Sequence, residues 1–327
     1  MPVSEINFLK MDGLGNDFVI IDARRRNVAL TTEQVQKISA RNNSKTGGCD
    51  QLIIIENSQK ADCFMRIYNG DGGQVDACGN ATRCVGYLLL EEGKKDEVTE
   101  VTIETNAGIF RVNRFPIMAG ISNPRKINVV MKLPEFDFDK IPYNGPKDES
   151  VNKVVKEFLK RKGSKFATHK LFEKEAVLVN VGNPHIVFML DNFDIVKKDW
   201  KEVGREIENL TELFPKRINV GFAGRPIKTD DAGDNTYHLE LHVWERGAGA
   251  TKACGTGACA AAAAFSGKEG TEKRYIIRQK GGELEISFTT RRPTRLKQDN
   301  STSAFSGEKI MLMTGAVSEA LPGTLEL

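Results

Sequence analysis

The sequence predicts an α+β protein built from two related domains, and three observations carry that reading. The first is a stretch that occurs twice. Residues 66–84 (RIYNGDGGQVDACGNATRC) and 242–260 (HVWERGAGATKACGTGACA) align without a gap at an offset of 176. Tyr68 then falls on Trp244, Gly73 on Gly249, Ala77 on Ala253, Cys78 on Cys254 and Gly79 on Gly255. The second is the dominance of short apolar runs bounded by Gly and Asn, which read as strands, with only a few segments of helical period. The third is a length of 327 residues, enough for about two domains. A repeat weighs most because each copy must fold as one unit.

Taken in order, INFLKM (6–11) and DFVIID (17–22) read as strands joined at Asp12-Gly13-Leu14-Gly15-Asn16, where Gly and Asn tolerate positive φ. Residues 31–42 read as a helix with Thr31 or Thr32 as N-cap and Val35 and Ile38 inward. Strands follow at 52–55 and 63–68, and the 69–77 loop delivers Cys78. A helix runs from there to about Glu92, with Val85, Leu88 and Leu89 inward, Cys84 in the core and Gly93 as C-cap. Residues 99–113 form strands about an Asn106-Ala107-Gly108 turn. After a loop at 114–126, the strand at 127–133 opens the second half.

There, residues 148–163 carry an apolar stripe at Val151, Val154, Val155, Phe158 and Leu159 and read as a surface helix ended by Gly163. AVLVNVGNPHIVFML (176–190) echoes the first hairpin, with Gly182-Asn183 on Gly15-Asn16 and His185 on Phe18 at an offset of 167. Asn219 stands opposite Gln51 in a weaker echo. Residues 237–244 form the strand into Glu245-Arg246-Gly247, and an Ala-rich helix with Cys259 in its core follows Cys254. Strands at 274–279 and 283–290, a mobile loop at 291–307 and a last strand, KIMLMTG, lead into the tail.

Composition narrows the function. With 40% hydrophobic and 28% charged residues the chain can bury a full core. A net charge of +3 on 47 basic and 44 acidic residues argues against nucleic acid and membrane surfaces as partners. No apolar leader or membrane-length run is present, and the six cysteines lack CxxC spacing. His238 and His242 are four apart, but they fall in a segment that reads as a strand, where such a pair is about 13 Å apart. No cysteine or histidine cluster joins them, so no metal site is expected. The expectation is a cytoplasmic protein with no metal and no cofactor.

The chemistry points to the repeated cysteines. For one cysteine alone, a buried small hydrophobe is the ordinary reading. Duplication of Ala-Cys-Gly at two helix starts reverses it. A helix N-terminus carries about half a positive charge and unpaired N–H groups, so it can lower a thiol pKa and hold a carboxylate. A thiolate base and a thiol acid together could remove a proton from one face of a carbon and return it on the other. Amides at matching places, Asn16 and Gln51 from one half and Asn183 and Asn219 from the other, suit a zwitterionic amino acid. Asn69 opposite Glu245 breaks the symmetry: Arg246 can meet a carboxylate and Glu245 an ammonium.

With those motifs in hand, the sequence resembles the diaminopimelate epimerases over essentially its whole length. The matching motifs are GLGNDF (13–18), DQL (50–52), ACGN (77–80) with Arg83-Cys84, GNPH (182–185), NVGF (219–222), ERGAG (245–249) and ACGTGAC (253–259). The resemblance implies two pseudo-symmetric domains, each a curled, mostly antiparallel sheet or barrel around a central helix, with the active site in the cleft between them. It assigns 1–126 with 316–327 to the first domain and 127–315 to the second. Cys78 and Cys254 become the catalytic thiols. Asn16, Gln51, Asn69, Asn183, Asn219, Glu245 and Arg246 become substrate-binding residues. Backbone N–H groups of Gly79-Asn80 and Gly255-Thr256 would hold the α-carboxylate, and His185 would support the site near one thiol. A homodimer is implied, with a small amino acid as the only other partner. Asp12, Ala81-Thr82 and Trp244 stand where the family more often has His, Gly-Ala and a smaller aromatic.

The reading is therefore conversion of LL- to meso-diaminopimelate without a cofactor, in lysine and peptidoglycan precursor synthesis. A related racemase acting on proline or hydroxyproline would share the cysteine pair but not the distal recognition set. A thiol redox protein would pair Cys78 with Cys254, and an amino-acid-binding protein would need no thiol at either helix start.

Overall fold

The computed structural model describes residues 5–96, 98–114, 125–229, 235–267, 273–291 and 308–326. The chain divides into two compact units, Met1–Val130 with Thr314–Leu327 and Met131–Met313. Except for their end residues, the loops expected at 114–126 and 291–307 lie outside the described residues.

Unit 1 opens with a hairpin of β1 (Glu5–Gly13) and β2 (Asn16–Asp22), paired as far as Gly13 opposite Asn16. That register leaves two residues for the turn, and a two-residue turn that matches strand twist needs positive φ at both. Leu14 (φ 61°) and Gly15 (φ 74°) supply it. Asn16 is instead the first residue of its strand, and the non-glycine residue with positive φ is Leu14. Asp12 Oδ1 accepts from Gly15 N at 3.1 Å, so the acid at this position caps the turn.

Helix α1 (Thr32–Ser39) starts at a capping box between Thr31 and Gln34 and buries Val35 and Ile38. It ends before the expected residue 42, where Ala40 turns extended. Strand β3 (Gln51–Glu56) runs parallel to β2, and β4 (Cys63–Asn69) runs antiparallel to β3. The short β5 (Gln74–Val75) folds back on β4 before α2 (Gly79–Glu92). Strand β6 (Glu100–Thr105) returns parallel to β4, and β7 (Gly108–Arg114) and β8 (Lys126–Met131) follow antiparallel. The strand expected to open the second half therefore pairs with β7, and unit 1 extends through Val130.

Unit 2 repeats this order. After α3 (Val151–Arg161), which buries Val151, Val154, Val155 and Leu159, come β9 (Ala176–Asn180) and β10 (Pro184–Leu190) as a hairpin. Helix α4 (Trp200–Glu208) precedes β11 (Asn219–Gly224), which lies parallel to β10. The short β12 (Ile227–Lys228), then β13 (Thr236–Glu245) and β14 (Gly249–Ala250), lead to α5 (Gly255–Ser266). Strand β15 (Arg274–Gln279) is parallel to β13, and β16 (Gly282–Arg291) closes antiparallel on β15.

The repeat extends to register. Phe18 lies opposite Gln51 in unit 1, and His185 lies opposite Asn219 in unit 2. Tyr68 faces Gln74, and at the same offset Trp244 faces Ala250.

The chain re-enters unit 1 through the end of β17 (Glu308–Ala316), where Thr314 Oγ1 donates to Asn128 Oδ1 at 2.6 Å. The tail is itself a strand: β18 (Leu321–Glu326) pairs antiparallel with β1, Leu325 opposite Ile6. Helix α2 packs against β1, β6 and β7, and α5 against β9, β10, β11 and β16. Each is buried on nearly every side, including Cys84 and Cys259, both with no exposure. A helix enclosed this way is apolar except where a buried polar side chain finds a partner, as Asn80, Thr82 and Arg83 do in α2. The alanines 260–263 meet that need in little space.

Candidate active site

Cys78 and Cys254 are the N-cap residues of α2 and α5, in extended backbone conformations (φ −145°, ψ 112° and φ −122°, ψ 112°). Each side chain therefore stands at the end of a helix whose first N–H groups have no partner within the helix.

Around Cys78 the partners are amides. Its Sγ lies 3.7 Å from Asn16 Oδ1, to which Asn80 Nδ2 also donates at 3.2 Å. Asn16 Nδ2 donates to Asp50 Oδ2 at 3.1 Å. Gln51 and Asn69 are cross-strand neighbours, and Gln51 Nε2 donates to Asn69 Oδ1 at 3.0 Å. Gln51 Oε1 is buried with no hydrogen-bond partner among the described residues. Such an acceptor costs stability unless something donates to it. Asn16, Gly79 and Asn80 thus gather at a strand end and a helix start beside one thiol, and Gln51 and Asn69 pair with each other across β3 and β4.

Around Cys254 the partners differ. Its Sγ accepts from Gly257 N at 3.2 Å and lies 3.6 Å from Thr256 Oγ1. The Glu245 carboxylate accepts from Thr251 Oγ1 and acts on the Cys254 thiol through its charge. Burial, reinforced by the Glu245 charge, holds the Cys254 thiol well above its ordinary value. Burial likewise raises Glu245. The expectation that a helix N-terminus brings this thiol towards neutrality is thus corrected: desolvation and a facing carboxylate outweigh it. Glu245, read as an ammonium partner, lies against the thiol.

Asn183 Nδ2 donates to Thr256 Oγ1 at 3.3 Å, linking the hairpin end to the start of α5 beside Gly255. Asn183 Oδ1 accepts from His185 Nε2 at 2.9 Å. His185 has no exposure, and burial, with the Arg246 charge adding to it, pushes its imidazole down to about 3. It is neutral, with its proton on Nε2, and its partner within the unit is an amide rather than a thiol. Asn219, 2% exposed, donates from Nδ2 to Pro184 O at 2.8 Å and accepts from Arg246 N at 3.0 Å. Its amide fixes the Glu245-Arg246 turn. Arg246 is exposed, with Nη1 donating to Lys216 O at 3.0 Å.

Two supporting residues escaped the sequence reading. Gln279 brackets Cys254, accepting from its N at 2.8 Å and donating to its O at 3.3 Å. Only the spatial pairing of β15 with the α5 start reveals this. Glu208 at the end of α4, 4% exposed, accepts from Trp244 Nε1 (2.7 Å), Gly247 N (2.8 Å) and Arg217 Nη1 (3.0 Å). Its signal was a carboxylate on the same helix face as Val203, Gly204 and Ile207.

The chain is similar to known proteins in sequence and in fold. The family model described as diaminopimelate epimerase matches residues 8–116 and 177–302. The diaminopimelate epimerase of Sphingopyxis alaskensis is 40% identical over 301 residues, covering 92% of this chain and 96% of that protein. That of Erythrobacter litoralis is 36% identical over 323 residues, covering 98% and 97%. Among solved structures, a PhzF-family phenazine biosynthesis protein of Bacillus anthracis is similar in fold (TM-score 0.63, 19% identity, 99% of each chain). So is a hydroxyproline epimerase of Agrobacterium vitis with bound trans-4-hydroxy-L-proline (TM-score 0.55, 14% identity, 99% of this chain and 93% of that one). On its family match and on identity sustained over nearly its full length, the chain belongs to the diaminopimelate epimerase family.

Proposed function

We propose that the protein interconverts LL- and meso-diaminopimelate by proton transfer at one Cα, with Cys78 and Cys254 as the acid–base pair and no metal or organic cofactor. One observation carries the mechanism: two N-cap cysteines at equivalent positions, in units that repeat strand for strand. The curated relatives' name carries the substrate.

One sulfur, as thiolate, takes the Cα proton, and the C–H electron pair passes into Cα and its carboxylate. The other sulfur gives its S–H proton to the opposite face, which inverts the centre and leaves a thiolate there. The reverse reaction exchanges the roles. Burial and Glu245 keep Cys254 in its S–H form in the unliganded protein, the form an acid needs. The first-turn N–H groups at Gly79-Asn80 and Gly255-Thr256 stabilise the carboxylate as charge builds on it. Gln51 Oε1 offers an ammonium the acceptor it needs, and Asn16, Asn69, Asn183 and Arg246 recognise the remaining polar groups. Asn219 holds the Arg246 turn in place. We further infer, from the family likeness, that the reaction serves lysine and peptidoglycan precursor synthesis and that the protein acts as a cytoplasmic homodimer. Among the described residues no helix is long and apolar enough to cross a membrane. Sedimentation velocity checks the dimer.

The test is solvent-deuterium uptake. Reduced protein with LL-diaminopimelate in deuterated water should place deuterium at Cα as the meso isomer forms, followed by NMR. Cys78→Ser and Cys254→Ser should each lower turnover at least about a hundredfold, the range of a lost general acid or base. Full turnover in both variants would remove the thiols from the mechanism. Exchange with proline or hydroxyproline but not diaminopimelate would move the substrate to the racemases.

A further inference from the structure

Asn16 lies in the middle of a hydrogen-bonded chain whose direction is set by an ion at each end. At one end wholly buried Arg83 donates from Nη2 to Asn80 Oδ1 at 2.9 Å. A guanidinium has no acceptor, so Asn80 must turn its oxygen towards Arg83 and its Nδ2 away. That Nδ2 donates to Asn16 Oδ1 at 3.2 Å. Asn16 Nδ2 donates in turn to Asp50 Oδ2 at 3.1 Å, and a carboxylate has no proton to give back.

Asp50 is itself held on both oxygens. Oδ2 also accepts from Asp17 N at 3.1 Å, and Oδ1 accepts from Arg41 Nη2. Arg41 grips Asp17 as well, at 2.7 and 2.9 Å, and Lys10 joins Asp17 at 2.7 Å. The two ends of an asparagine amide have nearly the same shape, so neighbours decide which end faces where. Here every donor points from Arg83 towards Asp50. The consequence falls on Cys78, because the oxygen of Asn16, not its nitrogen, faces Sγ at 3.7 Å.

We infer that Asp50 is a positioning residue for Cys78, acting through Asn16 to keep a hydrogen-bond acceptor against the thiol in the unliganded protein. An acceptor there favours S–H, whereas an amide nitrogen in the same place would donate to sulfur and favour thiolate. Asp50 makes no contact with the thiol in this chain of bonds; its effect passes through the amide. The inference rests on the proposed role of Cys78, but its test does not require turnover.

The experiment is a double-mutant cycle on thiol reactivity. Reduced protein is reacted with iodoacetamide at one pH near neutrality, and alkylation of the Cys78 peptide is timed by mass spectrometry. The rate follows the thiolate fraction. Asp50→Ala should speed alkylation of Cys78 roughly fivefold, the worth of one net hydrogen bond. Asn16→Ala should do the same, and the double variant should react no faster than Asn16→Ala alone. Asp50→Leu, which removes both acceptor oxygens, should behave like Asp50→Ala and serves if the alanine variant loses its circular dichroism. An unchanged rate, or two effects that multiply in the double variant, would overturn the inference. A merely structural Asp50 would lower the melting temperature without moving the rate. The coupling with no epimerisation would sink the proposed reaction alone; full epimerisation with a flat rate would sink this inference alone.

Discussion

Cys78 and Cys254 share a helix position but not an environment. Cys78 faces an amide oxygen, which can accept a hydrogen bond but not a proton. Cys254 faces a carboxylate, which can accept either. The position was legible in the sequence because Ala-Cys-Gly recurs at a fixed offset. The environment was not, because Glu245 reaches Cys254 only through the β13–β14 reversal. His185 shows the same gap. It was placed correctly in the repeat, yet nothing local says that it is wholly buried. Burial gives it a pH signature. Its folded value, about 3, lies below the unfolded 6.5, so below pH 6.5 the unfolded chain binds the extra proton. Its contribution to stability is full above 6.5 and is lost as pH falls towards 3. Between pH 7 and pH 5 the wild type should lose about 2 kcal/mol more than His185→Gln, measured by urea denaturation.

At the scale of the element, the two enclosed helices set the tightest constraints. A Cβ on Gly86 would lie 2.3 Å from Val112 Cγ1 and 3.0 Å from its Cβ, so α2 and β7 approach closely only because that glycine has no side chain. Gly86→Ala should destabilise unit 1 by about 1–3 kcal/mol, as overpacking does. Val112→Ala in the same chain should restore part of it, and equal melting temperatures for wild type and Gly86→Ala would show that β7 can yield. Elements with strong start signals were readable: the Thr31 cap and both Ala-Cys-Gly starts fall where expected. Helix α4 was missed because charged residues break up its short apolar stripe. Strand β18 was missed because Pro322 and Gly323 weaken any strand reading, and only pairing with β1 makes it one.

For the molecule as a whole, the sequence repeat shows up as a repeat of strand register, down to the cross-strand partners of Gln51 and Asn219. The unit boundary was less legible, since β8 follows an interrupting loop yet pairs backwards with β7. Strand β18 covers β1 and brings Leu325 into the cluster of Ile6, Phe8, Val19 and Val35. Deleting residues 317–327 should therefore expose the β1 edge, speed hydrogen exchange at β1 amides by at least about tenfold, and leave α5 and β11 protected. Uniform loss of protection in both units would mean that they unfold as one.

The discontinuity of unit 1 has a consequence for synthesis. Unit 2 is one unbroken segment, Met131–Met313, while unit 1 needs β18, which leaves the ribosome after all of it. The nascent chain can thus complete the Cys254 half while the Cys78 half still waits for its closing strand. Domains fold as they emerge, so the unfinished β1 edge is the surface a nascent-chain chaperone would have to shield the longest.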